Sequence, residues 1–251
     1  IRAEFATERH TKIEDGKDAV VEEIAPVVQE VVFIMDRFGY CKTIDRSTYD
    51  RNQETIENDY KYVIPCLSSD KLCIFTNTGS LHQTKLSDLP YGKMRDKGVP
   101  IDNVSKYDGS KEEIVFLTVS GRMTGQLLLF ATKMGMLKQV PAEEFVTNNR
   151  TVASTKLQDG DSLLDVRIVG TEQEIVLQSA SGMFLRFMME EIPEMKKNSR
   201  GVRGIRLSDK DELEDLYFVS QDPVITYRKK EVHLNRLKMA KRDGKGSKVR
   251  L

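Results

Sequence analysis

The chain has no tryptophan, only three cysteines and three histidines in 251 residues, and no surplus of charge, with 39 Lys+Arg against 39 Asp+Glu. Each scarcity excludes something. Cys41, Cys66 and Cys73 are an odd number set inside apolar segments, so they read as reduced thiols of a cytosolic protein and not as a disulfide framework. Cys66 and Cys73 also lack the spacing of metal ligands, and no metal site is expected. No apolar run approaches the roughly 18 residues of a membrane span, and the first residues are charged, so neither an anchor nor a signal peptide is expected. There is no nucleophile beside a credible base, no phosphate loop of the Walker type and no histidine cluster. The eight tyrosines read as strand or turn residues. No catalytic residue and no cofactor is expected in this chain.

What is present is a repeat. VVFIMDRFGYCKTI from Val31, KLCIFTNTGSLHQTKL from Lys71, LLLFATKMGMLKQV from Leu127 and EIVLQSASGMFLRF from Glu174 each run apolar into a tight glycine turn and out again. A fifth copy, DPVITYRKKEVHLNRL from Asp222, has Glu231 where the turn glycine should be. The glycines Gly39, Gly79, Gly135 and Gly182 are 40, 56 and 47 residues apart, the period range of propeller-like blades. Branched and aromatic residues bounded by Gly, Asn and Asp make these segments β-hairpins.

Each unit has a second half. A short acidic or proline-bearing step leads to a basic polar loop and then to another strand. The loops are Tyr91–Ile101, Thr147–Leu157, Lys196–Leu207 and Lys241–Leu251. Hairpin, long connection and returning strand describe a Greek-key blade. The expectation is an all-β ring of five or six blades over residues 27–251. Residues 1–13 form a helical stub, because Ile1 and Phe5 lie one helical turn apart, and a linker runs to residue 26.

The zero net charge conceals an uneven distribution. Residues 1–30 hold four basic and eight acidic residues, whereas residues 228–251 hold ten basic and two acidic. A basic end on a neutral chain points to a polyanionic partner.

The run Ser199-Arg200-Gly201-Val202-Arg203-Gly204-Ile205-Arg206-Leu207, the blade hairpins and the QDGDSLLDV segment together resemble the C-terminal domain of the A subunit of bacterial type IIA topoisomerases, DNA gyrase and topoisomerase IV. The opening IRAEFATERHTKI is similar to the end of the helical arm that precedes that domain. The resemblance spans essentially the whole chain. It implies a β-pinwheel whose basic rim binds and bends double-stranded DNA. It also implies a cytoplasmic, nucleoid-associated holoenzyme, in which this domain joins an ATPase B subunit through the rest of its own A subunit. ATP and magnesium would act elsewhere in that assembly, and the isolated domain would be a monomer.

Binding DNA without reading its bases needs cations spaced along a surface to neutralise phosphates. The expected contacts are Lys93, Arg95 and Lys97 in the second unit and Arg150 and Lys156 in the third. Lys196, Lys197, Arg200 and Arg203 follow in the fourth, with Arg206 beside them, and Lys241, Arg242 and Lys245, with Lys248, in the last. On the hairpins Lys42, Lys138 and Arg186 are added, three or four residues past their turn glycines; His82 takes that place in the second unit. Of Arg203 and Arg206, one is expected to face solvent and the other to pair internally. Gly201 and Gly204 fit either ordinary turn chemistry or close approach to a phosphate.

One departure stands out. Gyrase A subunits carry a box of the form Gln-Arg-Arg-Gly-Gly-basic-Gly after the first hairpin. Here the stretch from Tyr49 to Asp59 has one arginine, no glycine and several acids. Together with only about five recognisable units, that places the chain nearer topoisomerase IV, supporting relaxation or decatenation, or makes it a divergent gyrase homologue. A protein-interaction scaffold without DNA binding is the alternative.

Overall fold

The computed structural model describes residues 27–249; the expected helical stub and linker lie outside them. The first unit is the hairpin β1 (Glu30–Met35) and β2 (Tyr40–Asp45), then two short helices, α1 (Arg46–Arg51) and α2 (Gln53–Asp59), and the returning β3 (Tyr62–Leu67). The second has β4 (Lys71–Thr76), β5 (Ser80–Lys85), β6 (Val99–Pro100), α3 (Ile101–Val104) and β7 (Ile114–Val119). The third opens with α4 (Ser120–Met123) and has β8 (Leu127–Thr132), β9 (Met136–Pro141), β10 (Thr151–Ala153) and β11 (Leu163–Val169). In the fourth are β12 (Glu174–Ser179), β13 (Met183–Met188), β14 (Val202–Arg203) and β15 (Leu213–Phe218). The last has β16 (Val224–Tyr227), β17 (Lys230–His233) and β18 (Ser247–Lys248).

These strands make four antiparallel four-stranded sheets, ordered β3-β1-β2-β6, β7-β4-β5-β10, β11-β8-β9-β14 and β15-β12-β13-β18, plus the two-stranded β16-β17. Three strands of each full sheet come from its own unit. The fourth, an edge strand of two or three residues, is lent by the unit that follows: β6 pairs with β2, β10 with β5, β14 with β9 and β18 with β13. Each blade is therefore closed by its successor's basic loop.

Among the described residues the fifth unit is a two-stranded hairpin, β16-β17. Its turn is not at Glu231, which pairs with Thr226 inside the ladder. Arg228 and Lys229 form it instead, both at positive φ (49° and 65°).

The hairpin strands are buried on both faces, as in β1, where Val31 through Met35 are all enclosed. The reason is stacking. Sheets one and two enclose Phe33, Met35, Ile74 and Leu117; two and three enclose Phe75, Phe130 and Phe145; three and four enclose Leu129, Leu177, Phe187 and Phe218. The outer face of sheet one is covered by Tyr49 and Ile56 of α1 and α2, which pack on Val32, Ile34 and Ile44. The outer face of sheet four is covered by the fifth hairpin, with Val232 and Leu234 against Val176 and Phe184. Full burial of such side chains is worth about 1.5–3 kcal/mol each, so these seams supply the main cohesion of the array.

The returning strands β3, β7, β11 and β15 line one shared cavity of about 420 Å³, bordered by Tyr62, Leu117, Ile168 and Phe218. They form the inner side of the array. The lent strands β6, β10, β14 and β18 occupy the opposite edge of every full sheet. The basic loops are thereby carried to the outer rim.

Candidate nucleic-acid interface

Each rim loop reaches its lent strand through a run of polar residues, and the structure divides the cations on and beneath these loops into two kinds. One kind is exposed: Lys93, Arg95 and Lys97 before β6, Arg150 and Lys156 around β10, Lys196, Arg200, Arg203 and Arg206 around β14, and Lys241, Lys245 and Lys248 around β18. Lys97 sits 3.9 Å from the centre of the Tyr40 ring, which steadies its ammonium without neutralising it. Arg150 is 3.8 Å from Asp88, a loose surface pair. Four successive rims therefore each present cations to solvent.

The second kind is turned inward, contrary to the sequence expectation. Lys42 and Lys138 are each 1% exposed. The Lys42 ammonium donates to the carbonyls of Lys93 (2.8 Å), Met94 (3.0 Å) and Asp96. Lys138 donates to the carbonyls of Lys197 (2.6 Å) and Ser199 (2.8 Å) and lies 5.3 Å from the Phe130 ring centre. Arg186 is paired with Glu174 at 2.6 Å and donates to the carbonyls of Asn235 and Leu237. These side chains sit on strands sandwiched between sheets, so a side chain on either face is internal. Their charge goes into backbone carbonyls of the following unit's loop, with Lys42 and Lys138 closed to solvent and Arg186 nearly so. Lys197 and Arg242 are intermediate. Lys197 donates to the Glu144 carbonyl at 2.7 Å, and Arg242 donates to the carbonyls of Glu191 (3.0 Å) and Arg203 (2.6 Å).

Burial pushes the Lys138 ammonium down to about 8 and lowers that of Lys42, because a dry surrounding disfavours charge. In the second sheet the corresponding residue is His82. Its Nδ1 is 2.9 Å from the Thr151 hydroxyl, and its Nε2 lies 2.8 Å from the Glu112 carboxylate, off the line of a hydrogen bond. There the carbonyl-holding role passes to Lys71, whose ammonium donates to the Thr147 carbonyl at 2.6 Å. Sequence reasoning does not single out Lys71; its place at the start of a hairpin, next to an apolar run, looks like that of any solvated lysine.

Gly201 and Gly204 prove structural. A Cβ on Gly201, at φ +89°, would fall 2.5 Å from the Leu137 carbonyl oxygen, and one on Gly204 would fall 2.5 Å from the Leu137 side chain. They let the rim loop press against β9. Arg203 and Arg206 are both about half exposed, and both approach Asp243, at 3.5 and 3.2 Å. Neither is internal.

The rim holds two grooves suited to a polyanion backbone. One, of about 500 Å³, is bordered by Lys71, Lys85, Asn148, Asn149 and Arg150. Another, of about 490 Å³, lies between Arg206, Lys245 and Lys248 on one side and Ser181 and Asp211 on the other. Lysine, arginine and amide groups of this kind are able to pair with phosphate oxygens by charge and hydrogen bonds, although Asp88 and Asp211 also line the two grooves. At the position of the gyrase box, α1 and α2 replace any free loop. Tyr49 donates to Glu57 at 2.6 Å there, and Glu54 and Asp59 face solvent.

A family model described as the DNA gyrase C-terminal domain, beta-propeller, matches residues 126–170 and 173–220, which are the third and fourth units. The DNA gyrase A subunit of Lawsonia intracellularis is 29% identical over 226 residues, covering 85% of this chain and 27% of that protein. Its counterpart in Staphylococcus aureus (strain NCTC 8325 / PS 47) is 25% identical over 270 residues, covering 99% of this chain and 30% of that protein. The chain thus spans less than a third of the length of these curated relatives. Among solved structures, the C-terminal domain of DNA topoisomerase IV superposes with a TM-score of 0.78 at 20% identity, covering 88% of this chain and 73% of that one. The E. coli ParC C-terminal domain gives 0.72 at 16%, covering 88% and 94%, and a DNA gyrase A C-terminal domain 0.58 at 17%, covering 87% and 76%. The lent-strand sheets, the glycine-turn hairpins and these matches agree that the chain has the fold of, and is similar in sequence to, the C-terminal domains of DNA gyrase and topoisomerase IV A subunits.

Proposed function

We propose that the rim of this domain binds double-stranded DNA through its phosphates, independently of sequence, and bends it short of a closed wrap. The observation that carries this reading is the recurrence of exposed cations on four successive rim loops, at the outer edge of every full sheet. Bending 20–30 base pairs by 40–90° costs on the order of 1–6 kcal/mol, which only contacts distributed along the curve can offset. Helices α1 and α2 carry Glu54, Glu57 and Asp59 where a strap would close the path, and these acids repel phosphate. The assignment nearer topoisomerase IV rests on that replacement. Residues 1–26 serve as the end of an arm leading in from the rest of the A subunit. The holoenzyme, cytoplasmic and paired with an ATPase subunit that uses ATP and magnesium, relaxes or decatenates DNA.

Titrating the protein with duplexes of unrelated sequence at several salt concentrations tests binding. Arg200→Gln with Arg203→Gln should weaken all duplexes about equally and flatten the salt slope by up to about two units, since each phosphate contact contributes roughly 0.9. A change of sequence preference at fixed slope would mean that these arginines read bases. No binding even at low salt would favour the protein-interaction scaffold. For the whole subunit, reconstitution with its ATPase partner on relaxed plasmid should give little negative supercoiling. Robust supercoiling that disappears with this domain would overturn the topoisomerase IV assignment.

A further inference from the structure

The fifth hairpin carries an anomaly that the four rims do not share. The other hairpins turn on glycine at positive φ, from Gly39 to Gly182. The fifth turns on Arg228 and Lys229, both left-handed, where a side chain is disfavoured and Asn-Gly would be the easy choice. Lys230 follows at once, and all three are exposed. Among the described residues, none of the three forms an ion pair. A turn that accepts backbone strain at two adjacent positions in order to display cations marks a place where the cations are used.

The tip is also fixed in space. Tyr227, immediately before it, packs edge-on to Phe184 with ring centres 5.2 Å apart. Its hydroxyl lies so close to Gly182 that a Cβ there would come within 2.3 Å of it. The Arg228 guanidinium lies 5.1 Å from the Tyr227 ring centre. The lent strand β18 reaches the same corner, with Lys248 opposite Met183 and Ser247 opposite Phe184. The basic turn therefore adjoins the last rim, where Lys245 and Lys248 border a groove.

We propose that Arg228, Lys229 and Lys230 form a terminal phosphate clamp that takes up the DNA backbone as it leaves the fourth rim, extending the bound path by one more contact. The clamp rests on the duplex-binding reading above. It reads no bases, because two of its three donors are lysine point charges and the third, the Arg228 guanidinium, rests against the Tyr227 ring instead of being presented to a base edge.

The test is the double variant Arg228→Asn/Lys229→Gly, which removes two cations and installs the residues that this turn prefers. Its melting temperature should hold or rise, so lost binding cannot be blamed on misfolding. The salt slope for a long duplex should fall by about 1.8 units, and the hydroxyl-radical footprint should shorten at one end only. If the wild-type protein binds duplex and the variant keeps its slope and footprint, the clamp is wrong while the rim reading stands. Loss at both ends would also refute a terminal clamp. If the wild type binds no duplex at all, both readings fall together.

Discussion

Asp243 accepts a hydrogen bond from the Arg206 guanidinium at 3.2 Å, tying the rim loop of the third sheet to that of the fourth. The same carboxylate lies 3.5 Å from Arg203, so one acid restrains two of the arginines assigned to phosphate contact. Hydrogen bonding from Arg206, followed by its charge, holds the Asp243 carboxyl below the usual carboxylate range. Asp243→Asn should therefore raise affinity for duplex DNA about two- to fivefold at low salt, the scale of an exposed ion pair. Asn also tolerates the φ of 63° at this position, so the melting temperature should barely move. A drop in affinity would mean that the carboxylate orients the arginines for DNA instead of competing with it.

Lys138 should behave as a loop holder. In Lys138→Met, amide exchange in the free protein should accelerate at residues 196–204 and not in β8 or β9 beyond its immediate neighbours. A residue that merely touched DNA would leave the free loop unchanged. The pH dependence has a definite sign. With its ammonium lowered to about 8 from 10.5, the folded state binds fewer protons than the unfolded state between those values. Wild-type stability relative to Lys138→Met should consequently rise as pH climbs from about 8 to 10.5, by on the order of 1–3 kcal/mol. Urea melts of both proteins across that range check it.

The three thiols act in the opposite direction. Burial pushes Cys41 and Cys73 up to about 12 and Cys66 up to about 11, each from 9.0. These groups keep their protons in the folded state, so their stabilising contribution is full below pH 9 and is lost as pH rises through 11 and 12. Reactivity follows the same rule, since the thiolate is the nucleophile. At pH 8 the alkylation of Cys41 and Cys73 should track global unfolding, and labelling in native buffer at the rate of a free thiol would contradict their burial.

Gly201→Ala should cost at least about 2 kcal/mol, because it adds a left-handed alanine and a clash with backbone that cannot step aside. Its duplex affinity should fall as well, since Arg200 and Arg203 flank the shifted residue. A chemical melt and a binding titration on the same sample check both. Unchanged stability would show that the loop does not press on β9 in solution.

The hairpins are legible in the sequence because glycine turns punctuate apolar runs at a regular spacing, and the family resemblance adds the arrangement of blades. The lent strands are not legible. Val99–Pro100, Val202–Arg203 and Ser247–Lys248 are too short to show a two-residue period, and their partners lie in another unit. The exposed rim cations can be read as loop residues, whereas Lys42 and Lys138 mislead because charge is taken as a sign of solvent. The available signal is the neighbourhood: Lys42 stands between Cys41 and Thr43-Ile44, a run with no outward face once sheets cover both sides. For Asp50–Asp59, the sequence shows the missing box but not what replaces it. Tyr49 and Ile56 lie on two short helices broken at Asn52, so no single helical period joins them, yet both pack on sheet one.

Because every full blade borrows its edge from the unit behind it, the order of synthesis imposes a delay on assembly. The first hairpin is complete at Asp45, yet its partner edge, β6, does not exist until Pro100 has been made. At about 5–20 residues per second the nascent chain carries an open, hydrogen-bond-hungry margin for several seconds, and the same debt passes from blade to blade. Only β18 closes the last margin, near residue 248. A ribosome that stalls within a unit leaves the preceding blade unsealed, so damage to one segment is felt upstream of it.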